Sequence, residues 1–191
     1  MNGITLGFAM CGSFCTISKA VAVMEQLKKE GYDILPVLSS ITASTDTRFG
    51  SAEELKDRIE GICGKKIINT IEDAEPIGPG GLTDIMLVAP CTGNTAAKLA
   101  NAITDTPVTM AVKSHLRQQK PVLLAMATND ALAGSAQNIG KLLNTRNYYF
   151  VPMRQDDPVR KPTSLVAEFA MIPQALNAAL KGSQLRPLIT A

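Results

Sequence analysis

At 191 residues, nearly half of them hydrophobic, the chain is long enough to build one domain around a substantial core. Its formal net charge of +2 is near balance and no basic run is interleaved with aromatic residues, so we expect no nucleic-acid partner. The sequence shows no secretory signal, no apolar run of membrane-spanning length and, with one histidine and no paired cysteines, no metal site, so we expect a cytoplasmic protein.

Short apolar segments alternate with helical patterns along the chain. We predict strands at residues 4–9, 33–38, 67–68, 85–89, 122–126 and 148–151. We predict helices at residues 17–30, 94–103, 108–118, 131–144 and 164–181, and a further helix that begins at Ser51 with Glu54 completing a capping box. Several strands are apolar throughout, which is typical of strands covered on both faces. The pattern predicts an α/β fold with one domain over residues 1–191: a Rossmann-like, doubly wound parallel sheet in three α/β/α layers.

Some parts of the chain fall outside this alternation. Residues 72–84 are rich in glycine and proline and are predicted to form a surface loop. Residues 182–191 are expected to form a C-terminal tail that is mobile or packs on a neighbouring protomer. Cys11 and Cys15 are expected in the core, and His115 is expected at the surface near a helix C-terminus, where the helix dipole favours it.

Ligands of such sheets bind beyond the carboxyl ends of the strands, so the polar loops there form the candidate site. The first loop places Gly12, Ser13 and Phe14 at the start of a helix, whose N-terminus can meet an anion. It lacks the lysine of a Walker A loop and the G-x-G-x-x-G of a dinucleotide fingerprint. The second loop supplies Ser39, Ser40 and Thr45, which suit a phosphate monoester; a hydroxyl-rich surface loop without a ligand is the alternative.

The third loop interrupts an apolar strand with six small or polar residues, Pro90-Cys91-Thr92-Gly93-Asn94-Thr95. A helix cap is the alternative explanation, but it accounts for one polar residue and not for the others. One helix N-terminus contributes only about 0.3 to 1 kcal/mol to binding an anion. Tight binding therefore requires that the three loops converge on one phosphate-bearing ligand.

The third loop and the helix after it carry a signature. Residues 90–105, PCTGNTAAKLANAITD, resemble the pattern P-A-x-x-N-T-x-x-K-x-A-x-G-I-x-D of the flavin-mononucleotide-binding homo-oligomeric cysteine decarboxylases. The matching residues are Pro90, Asn94, Thr95, Lys98, Ala100, Ile103 and Asp105, whereas Cys91 and Ala102 stand where the pattern has Ala and Gly. The family also has a Gly-Ser loop after its first strand and a hydroxyl-rich loop ending in Phe after its second, as at residues 12–13 and 39–49.

This resemblance covers about residues 3–145 and implies a Rossmann-like protein that binds FMN. It implies a homo-oligomer, a trimer or a multiple of one, in which neighbouring protomers complete the flavin site. The cofactor-binding residues that we expect are Gly12, Ser13, Phe14, Ser39, Ser40, Thr45, Pro90, Thr92, Asn94, Thr95 and Asn129.

The departures from the family pattern bear on the reaction. The catalytic histidine of the decarboxylases falls on Pro76, which can transfer no proton. Their substrate clamp, P-x-M-N-x-x-M-W, falls on residues 126–133, MATNDALA, which keep only Asn129. A flavin-dependent cysteine decarboxylase-like lyase is therefore the disfavoured alternative, and a non-catalytic protein that binds flavin or phosphate for a partner is another.

Residues 148–169 narrow the resemblance to one branch of the family. The motifs Q-D-D-P at 155–158 and K-P-x-S-L-V at 161–166 are similar to those of a flavoprotein chain from spore-forming bacteria. That chain forms part of an enzyme of two different subunits, which makes dipicolinate, pyridine-2,6-dicarboxylate, from a dihydro- or hydroxytetrahydro-dipicolinate precursor. The branch implies a partner chain that binds NADP or NAD, and a place in the mother cell during sporulation.

The product of that reaction is a dianion, so cationic residues in the same segment are candidates for binding the substrate. Arg154, Arg160 and Lys161 bring three positive charges into one loop, and arginine can bind carboxylates in bidentate fashion. Asp156 and Asp157 offset these charges, so a solvated loop with internal ion pairs is the alternative. No residue can be assigned as the catalytic acid or base.

Overall fold

A computed structural model describes residues 3–190 and shows one domain built on a mostly parallel sheet. Its five parallel strands run in the order β2-β1-β3-β4-β5. Their bounds are β1 Thr5–Met10, β2 Asp33–Leu38, β3 Ile85–Cys91, β4 Val122–Thr128 and β5 Tyr148–Phe150. Apart from a few edge positions these strands are buried, because helices cover both faces of the sheet.

Eight helices surround the sheet within the described residues. They are α1 Phe14–Lys29, α2 Ser40–Ser44, α3 Ala52–Cys63, α4 Ile71–Ala74, α5 Gly93–Ala100, α6 Pro107–Leu116, α7 Ala136–Leu143 and α8 Ile172–Leu180. One hydrophobic core lies under α1, α3 and α8, and a second lies on the opposite face under α4 to α7. The predicted three-layer, doubly wound fold is therefore confirmed, and so is the capping box of Ser51 and Glu54 at the start of α3.

The last third of the chain differs from the prediction of one helix at residues 164–181. Residues 165–167 instead form a strand, β7 Leu165–Ala167, which pairs antiparallel with the end of β4 and with β6 Met153–Arg154. A 3-10 helix, Phe169–Met171, then leads into α8. The prediction failed because a pairing between strands distant in sequence is not encoded in local periodicity.

Four smaller predictions also need correction. Residues 72–84 are not wholly a surface loop, because α4 and a 3-10 helix, Glu75–Ile77, place Ala74 and Ile77 in the core. The helix predicted at residues 131–144 begins only at Ala136, after a run of turns. Residues 67–68 form a single bridge to β2 and no strand. The tail packs on its own domain, where Gln184 exchanges two hydrogen bonds with the backbone of Phe150.

Two side chains were placed on the wrong side of the surface. Cys15 is exposed in the first turn of α1, whereas Cys11 is buried as expected. His115 is 1% exposed, because the face of α6 that carries it packs against the segment before β3. Its Nε2 donates to the carbonyl of Pro121 at 3.0 Å, and Thr83 therefore donates its hydroxyl to Nδ1 at 2.7 Å.

Candidate functional site

The three polar loops predicted from the sequence meet at one point of the sheet. The chain leaves β1 toward one face and enters β3 from the other, so a crevice opens where the carboxyl ends of these strands diverge. The amide of Cys11 donates to the carbonyl of Pro90 at 3.2 Å, and the amide of Ser39 donates to the carbonyl of Met10 at 3.0 Å. The loops after β1, β2 and β3 therefore form one surface, which we call the cradle.

The loop after β1 leaves a helix N-terminus free. Ser13 occupies the N-cap of α1, but its side chain accepts no hydrogen bond from the amides of the first turn. The hydroxyl of Thr16 donates instead to the carbonyl and hydroxyl oxygens of Ser13. The amide of Thr16 also donates to the Ser13 carbonyl. The first two amides of this sixteen-residue helix, those of Phe14 and Cys15, thus retain their capacity to bind an anion.

Gly12 lies where the first two loops approach each other closely. A Cβ at Gly12 would lie 3.0 Å from Cγ2 of Ile41 and 3.7 Å from the ring of Phe14. A larger residue would fill the space between these loops. The cradle is therefore shaped so that a ligand can approach the backbone.

Some hydroxyls of the loop after β2 form hydrogen bonds that hold the loop, and others form none within the described residues. The hydroxyl of Ser39 is buried, lies 2.8 Å from that of Thr42 and caps α2 by accepting from the Thr42 amide. The hydroxyls of Ser40 and Thr45 form no hydrogen bond within residues 3–190. Thr45 also lines a cleft of about 180 Å³ together with Phe14 and other residues of α1, α3 and the intervening loop. Ser40 and Thr45 are thus the residues of this loop with hydrogen bonds to offer.

The loop after β3 shows why the strand is interrupted. Its pairing with β4 shifts register between Val88 and Cys91, and Pro90, which has no amide to donate, lies within the irregularity. Thr92 caps α5 by accepting from the amide of Thr95 at 3.2 Å, and the Thr95 hydroxyl donates to the Cys11 sulfur at 3.2 Å. The helix-cap explanation thus accounts for both threonines.

Asn94 is the residue of this loop that the cap does not explain. Its side chain is exposed in the first turn of α5 and forms no hydrogen bond with the part of the chain that the structure describes. It lies directly beside the capped turn of Thr92 and Thr95. Asn94 is therefore available to a ligand.

The end of β4 closes the cradle on a fourth side. A Cβ on Gly93 would lie 2.5 Å from Oγ of Ser135, 2.8 Å from Oγ1 of Thr128 and 3.0 Å from Oδ1 of Asp130, so only glycine fits at the start of α5. Asp130 accepts from the hydroxyls of Thr128 and Ser135 at 2.5 and 2.9 Å. These bonds, chiefly that of Thr128, hold the pKa of Asp130 below its ordinary value. The predicted residue Asn129 lies exposed beside this cluster.

The charged loop between β6 and β7 is hydrogen-bonded to the segment that follows β4. The hydroxyl of Thr163 donates to the carbonyl of Asn129 at 2.6 Å, and the amide of Leu132 donates to the carbonyl of Thr163 at 2.9 Å. The loop is therefore held against the segment that follows β4, beside Asp130.

The three cations of this loop are not equally available. Arg154 is paired with Glu168, and Lys161 is paired with Asp156 at 2.8 Å. The Lys161 ammonium is the chief cause of a lowered pKa at Asp156. Arg160 is exposed and its guanidinium forms no ion pair within the described range. Internal pairing, the alternative considered above, thus holds for two of the three residues.

The buried thiols beneath the cradle are poor nucleophiles. Burial raises the pKa of Cys11 to about 11 and raises that of Cys91 well above its ordinary value. Both side chains therefore stay protonated at neutral pH, and they serve as packing.

Several residues of the signature hold the fold and do not face the cradle. Lys98 and Asp105 form an ion pair, with Nζ 2.8 and 2.9 Å from the two carboxylate oxygens. The amide of Ile103 donates to the carbonyl of Lys98, and the amide of Ala102 to that of Leu99, which is the Schellman arrangement at a helix end. Ala102 holds the left-handed conformation there, with φ of 57°. These residues shape the turn that follows α5.

Comparison with known proteins places this chain in a family. A family model described as Flavoprotein matches residues 1–172. The chain belongs to the Flavoprotein family. The B-type subunit of dipicolinate synthase from Bacillus subtilis (strain 168) is 42% identical over 189 residues, which are 99% of this chain and 94% of that relative. The branch expected from residues 155–166 is thereby confirmed.

Solved structures of flavoproteins agree with this assignment. The crystal structure of the B-type subunit of dipicolinate synthase from Bacillus halodurans C is similar at a TM-score of 0.92 and 41% identity, covering 100% of this chain and 99% of that one. DmrB of Burkholderia xenovorans, solved in complex with FMN, shares the fold at a TM-score of 0.69 and 18% identity, covering 93% and 96% of the two chains.

No helix within residues 3–190 is both long and apolar enough to cross a membrane.

Two features of this flavoprotein site were not found from the sequence. Asp130 and Gly93 join the end of β4 to the start of α5, and only the three-dimensional contact shows it. Asp130 could have been suspected from the sequence, because it directly follows Asn129 in a loop beyond a buried strand.

Pro76, where the decarboxylases have histidine, lies in the 3-10 helix after α4, and its carbonyl accepts from the amide of Gly80.

Proposed function

We propose that this chain is the flavin-binding component of a dipicolinate synthase, which forms dipicolinate from a dihydro- or hydroxytetrahydro-dipicolinate precursor during sporulation. The observation that carries the proposal is the convergence of three loops at the β1/β3 crevice in a chain 42% identical to the B-type subunit of dipicolinate synthase. The A-type subunit of the synthase, with bound NADP or NAD, would be the partner chain, and the mother-cell cytoplasm the place of action.

The cradle fits the phosphate and ribityl parts of FMN. The uncapped N-terminus of α1 and the free hydroxyls of Ser40 and Thr45 offer donors to a phosphate, and Asn94 offers an amide further along. Gly12 keeps the backbone accessible, because a Cβ there would meet Ile41. When bound, a flavin would supply a two-electron acceptor for the aromatisation of a ring. Of the expected cofactor residues, Ser39, Thr92 and Thr95 would act by shaping the cradle, since their hydroxyls are already bonded.

The loop between β6 and β7 would bind the dicarboxylate substrate. Arg160 is the strongest candidate, because its guanidinium is unpaired within the described residues and can bind a carboxylate in bidentate fashion. Arg154 and Lys161 would need to exchange Glu168 and Asp156 for the substrate, and would contribute less.

A homo-oligomer, a trimer or a multiple of one, would complete the site. Ile41 and Phe49 are both 58% exposed beside the cradle, and a neighbouring protomer would remove this apolar surface from water. A bound ligand would then be held from two sides.

The non-catalytic alternative, in which this chain only holds flavin for its partner, is favoured by two observations. Position 76 offers a proline and no acid or base, and Asp130 is tied to two hydroxyls that lower its pKa. The lyase alternative is disfavoured by the same proline.

The test is an assay of dipicolinate formation with this chain alone, its A-type partner alone, and both together. We expect the full rate only with both chains, and an Arg160→Ala variant should raise the substrate KM at least about tenfold, since a charged hydrogen bond contributes roughly 1.5 to 3 kcal/mol. Arg146→Ala is a matched control, because Arg146 is also exposed and forms no ion pair within the described residues, and it lies just before β5, at the opposite ends of the strands from the cradle. A full rate from the partner alone would overturn the catalytic claim.

Binding of FMN is tested separately by titration of the purified chain, followed by flavin absorbance and fluorescence. We expect Asn94→Ala to weaken binding by about fivefold, because one hydrogen bond contributes about 1 kcal/mol. Asn144→Ala, at the exposed C-cap of α7 and away from the cradle, should leave the affinity unchanged. A wild-type chain that takes up no FMN would refute the cofactor assignment.

A further inference from the structure

A second cavity lies at the opposite end of α5 from the cradle. It has a volume of about 460 Å³, within the range of roughly 300 to 1,000 Å³ that small-molecule sites occupy. Its apolar lining includes Leu99, Ile103, Leu116 and Tyr148, and its cationic lining consists of Lys113 and Arg117. We call it the α5–α6 pocket. None of the functions derived above uses it.

The charges of the α5–α6 pocket have one sign. Lys113 and Arg117 are four residues apart along α6 and its C-cap, so their side chains lie on the same face. Lys113 forms no ion pair within residues 3–190, whereas Arg117 forms a loose ion pair with Glu75, with Nη1 3.9 Å from Oε1. No acidic residue lines the pocket. The pocket therefore presents one cation that the described part of the chain does not neutralise, Lys113, and a second, Arg117, that is only loosely paired.

Two further features make the pocket a shaped site. Tyr148 is half-buried at its wall and burial raises the pKa of its hydroxyl, so that this group stays a proton donor. Ala102, another wall residue, holds a left-handed backbone conformation that ordinary residues avoid. Its place in the Schellman turn folds Ile103 back over the end of α5.

We propose that the α5–α6 pocket binds a small organic carboxylate with an apolar body. The apolar walls would cover the body, while Lys113 and Arg117 would bind the carboxylate and Tyr148 would add a hydrogen bond. An inorganic anion would gain nothing from the apolar walls, and a cation would be repelled. The proposal does not depend on the function of the cradle, because the pocket shares no lining residue with it.

Benzoate is a suitable probe, with the neutral benzamide as its charge control. Isothermal titration calorimetry would compare the wild-type chain with Lys113→Ala, Arg117→Ala and, as matched control, Lys29→Ala in the exposed last turn of α1. We expect each pocket variant to weaken benzoate binding about tenfold, since a hydrogen bond to a charged group contributes on that scale. Lys29→Ala should bind as the wild type does, and benzamide should bind at least about tenfold more weakly than benzoate.

A crystal soaked with benzoate would locate the probe between α5 and α6 if the inference holds. Equal binding by wild type, Lys113→Ala and Arg117→Ala would overturn it, and so would the absence of any binding at millimolar benzoate. Sedimentation of the same variants provides a further check. If either substitution changes the oligomeric mass, the pocket is an interface between copies of the chain and the proposal is wrong.

Discussion

Polar side chains lie both where the parallel strands begin, which we call the amino edge of the sheet, and where the strands end, which we call the carboxyl edge. The hydrogen-bonding capacity of these side chains is used differently at the two edges. At the amino edge, His115, Thr83 and Lys120 satisfy one another and the backbone: both ring nitrogens of His115 are bonded, and Lys120 donates to the carbonyl of Thr83. At the carboxyl edge, the N-terminus of α1 and the side chain of Asn94 keep donors that have no partner within residues 3–190. Polarity alone therefore does not mark a site, whereas unused hydrogen-bonding capacity at a crevice does.

The largest effect that we expect is a pH dependence of the free energy of unfolding, caused by His115 at the amino edge. Burial lowers the pKa of His115 from 6.5 to about 4. Between these values the unfolded chain binds a proton that the folded chain excludes, so the free energy of unfolding falls as the pH drops from 6.5 toward 4. The loss reaches about 3 kcal/mol at the lower end and is absent above pH 6.5.

Urea unfolding at several pH values measures this effect. His115 is the only histidine in the chain, so a His115→Gln variant should flatten the dependence between pH 5 and 6.5. The same variant should lose about 1 to 3 kcal/mol at pH 7.5, because a buried bond is disturbed. A wild-type stability that stays level across this range would show that His115 is not held neutral by the fold.

At the carboxyl edge the next largest effect is expected from Gly93→Ala. The new Cβ would lie within 3.0 Å of three side-chain oxygens, and crowding of this kind costs about 1 to 3 kcal/mol. Gly61→Ala on α3 is the control, because nothing lies within 4 Å of a Cβ there and the helix should gain about 0.5 to 1 kcal/mol. Thermal unfolding monitored by circular dichroism compares the two. Equal stability of both variants would mean that Gly93 is not crowded.

The smallest effect concerns the turn after α5. Replacing Ala102, with φ of 57°, by glycine should raise the free energy of unfolding by about 0.5 to 1 kcal/mol, because glycine adopts this conformation without strain. Asn147→Gly, at φ of 69°, should gain less, since asparagine tolerates the left-handed region. Chemical denaturation resolves this difference. A gain at position 147 equal to that at 102 would contradict the strain argument.

The sequence predicted most of the fold and the location of the loops, but less of their chemistry. The second strand was predicted with its observed bounds, Asp33–Leu38. A short apolar run between a helix end and a hydroxyl-rich loop seldom forms anything but a buried strand. The helix predicted at 164–181 was wrong, because Val166 lies between partners at Ala127 and Arg154, one of them 39 residues away. Distant contacts of this kind also decided the burial of His115.

The ion pair of Lys98 and Asp105 limits what the family signature can report. Both residues belong to the motif by which the chain resembles flavin-dependent decarboxylases, yet they bind each other and close a turn. The second half of the signature thus reports whether a chain can build the turn after α5, whereas its first half, with Asn94, belongs to the cradle, and neither half reports which reaction follows. Proteins that share it need to be distinguished by residues outside it, such as the proline at position 76 and the arginine at position 160, which forms no ion pair within residues 3–190.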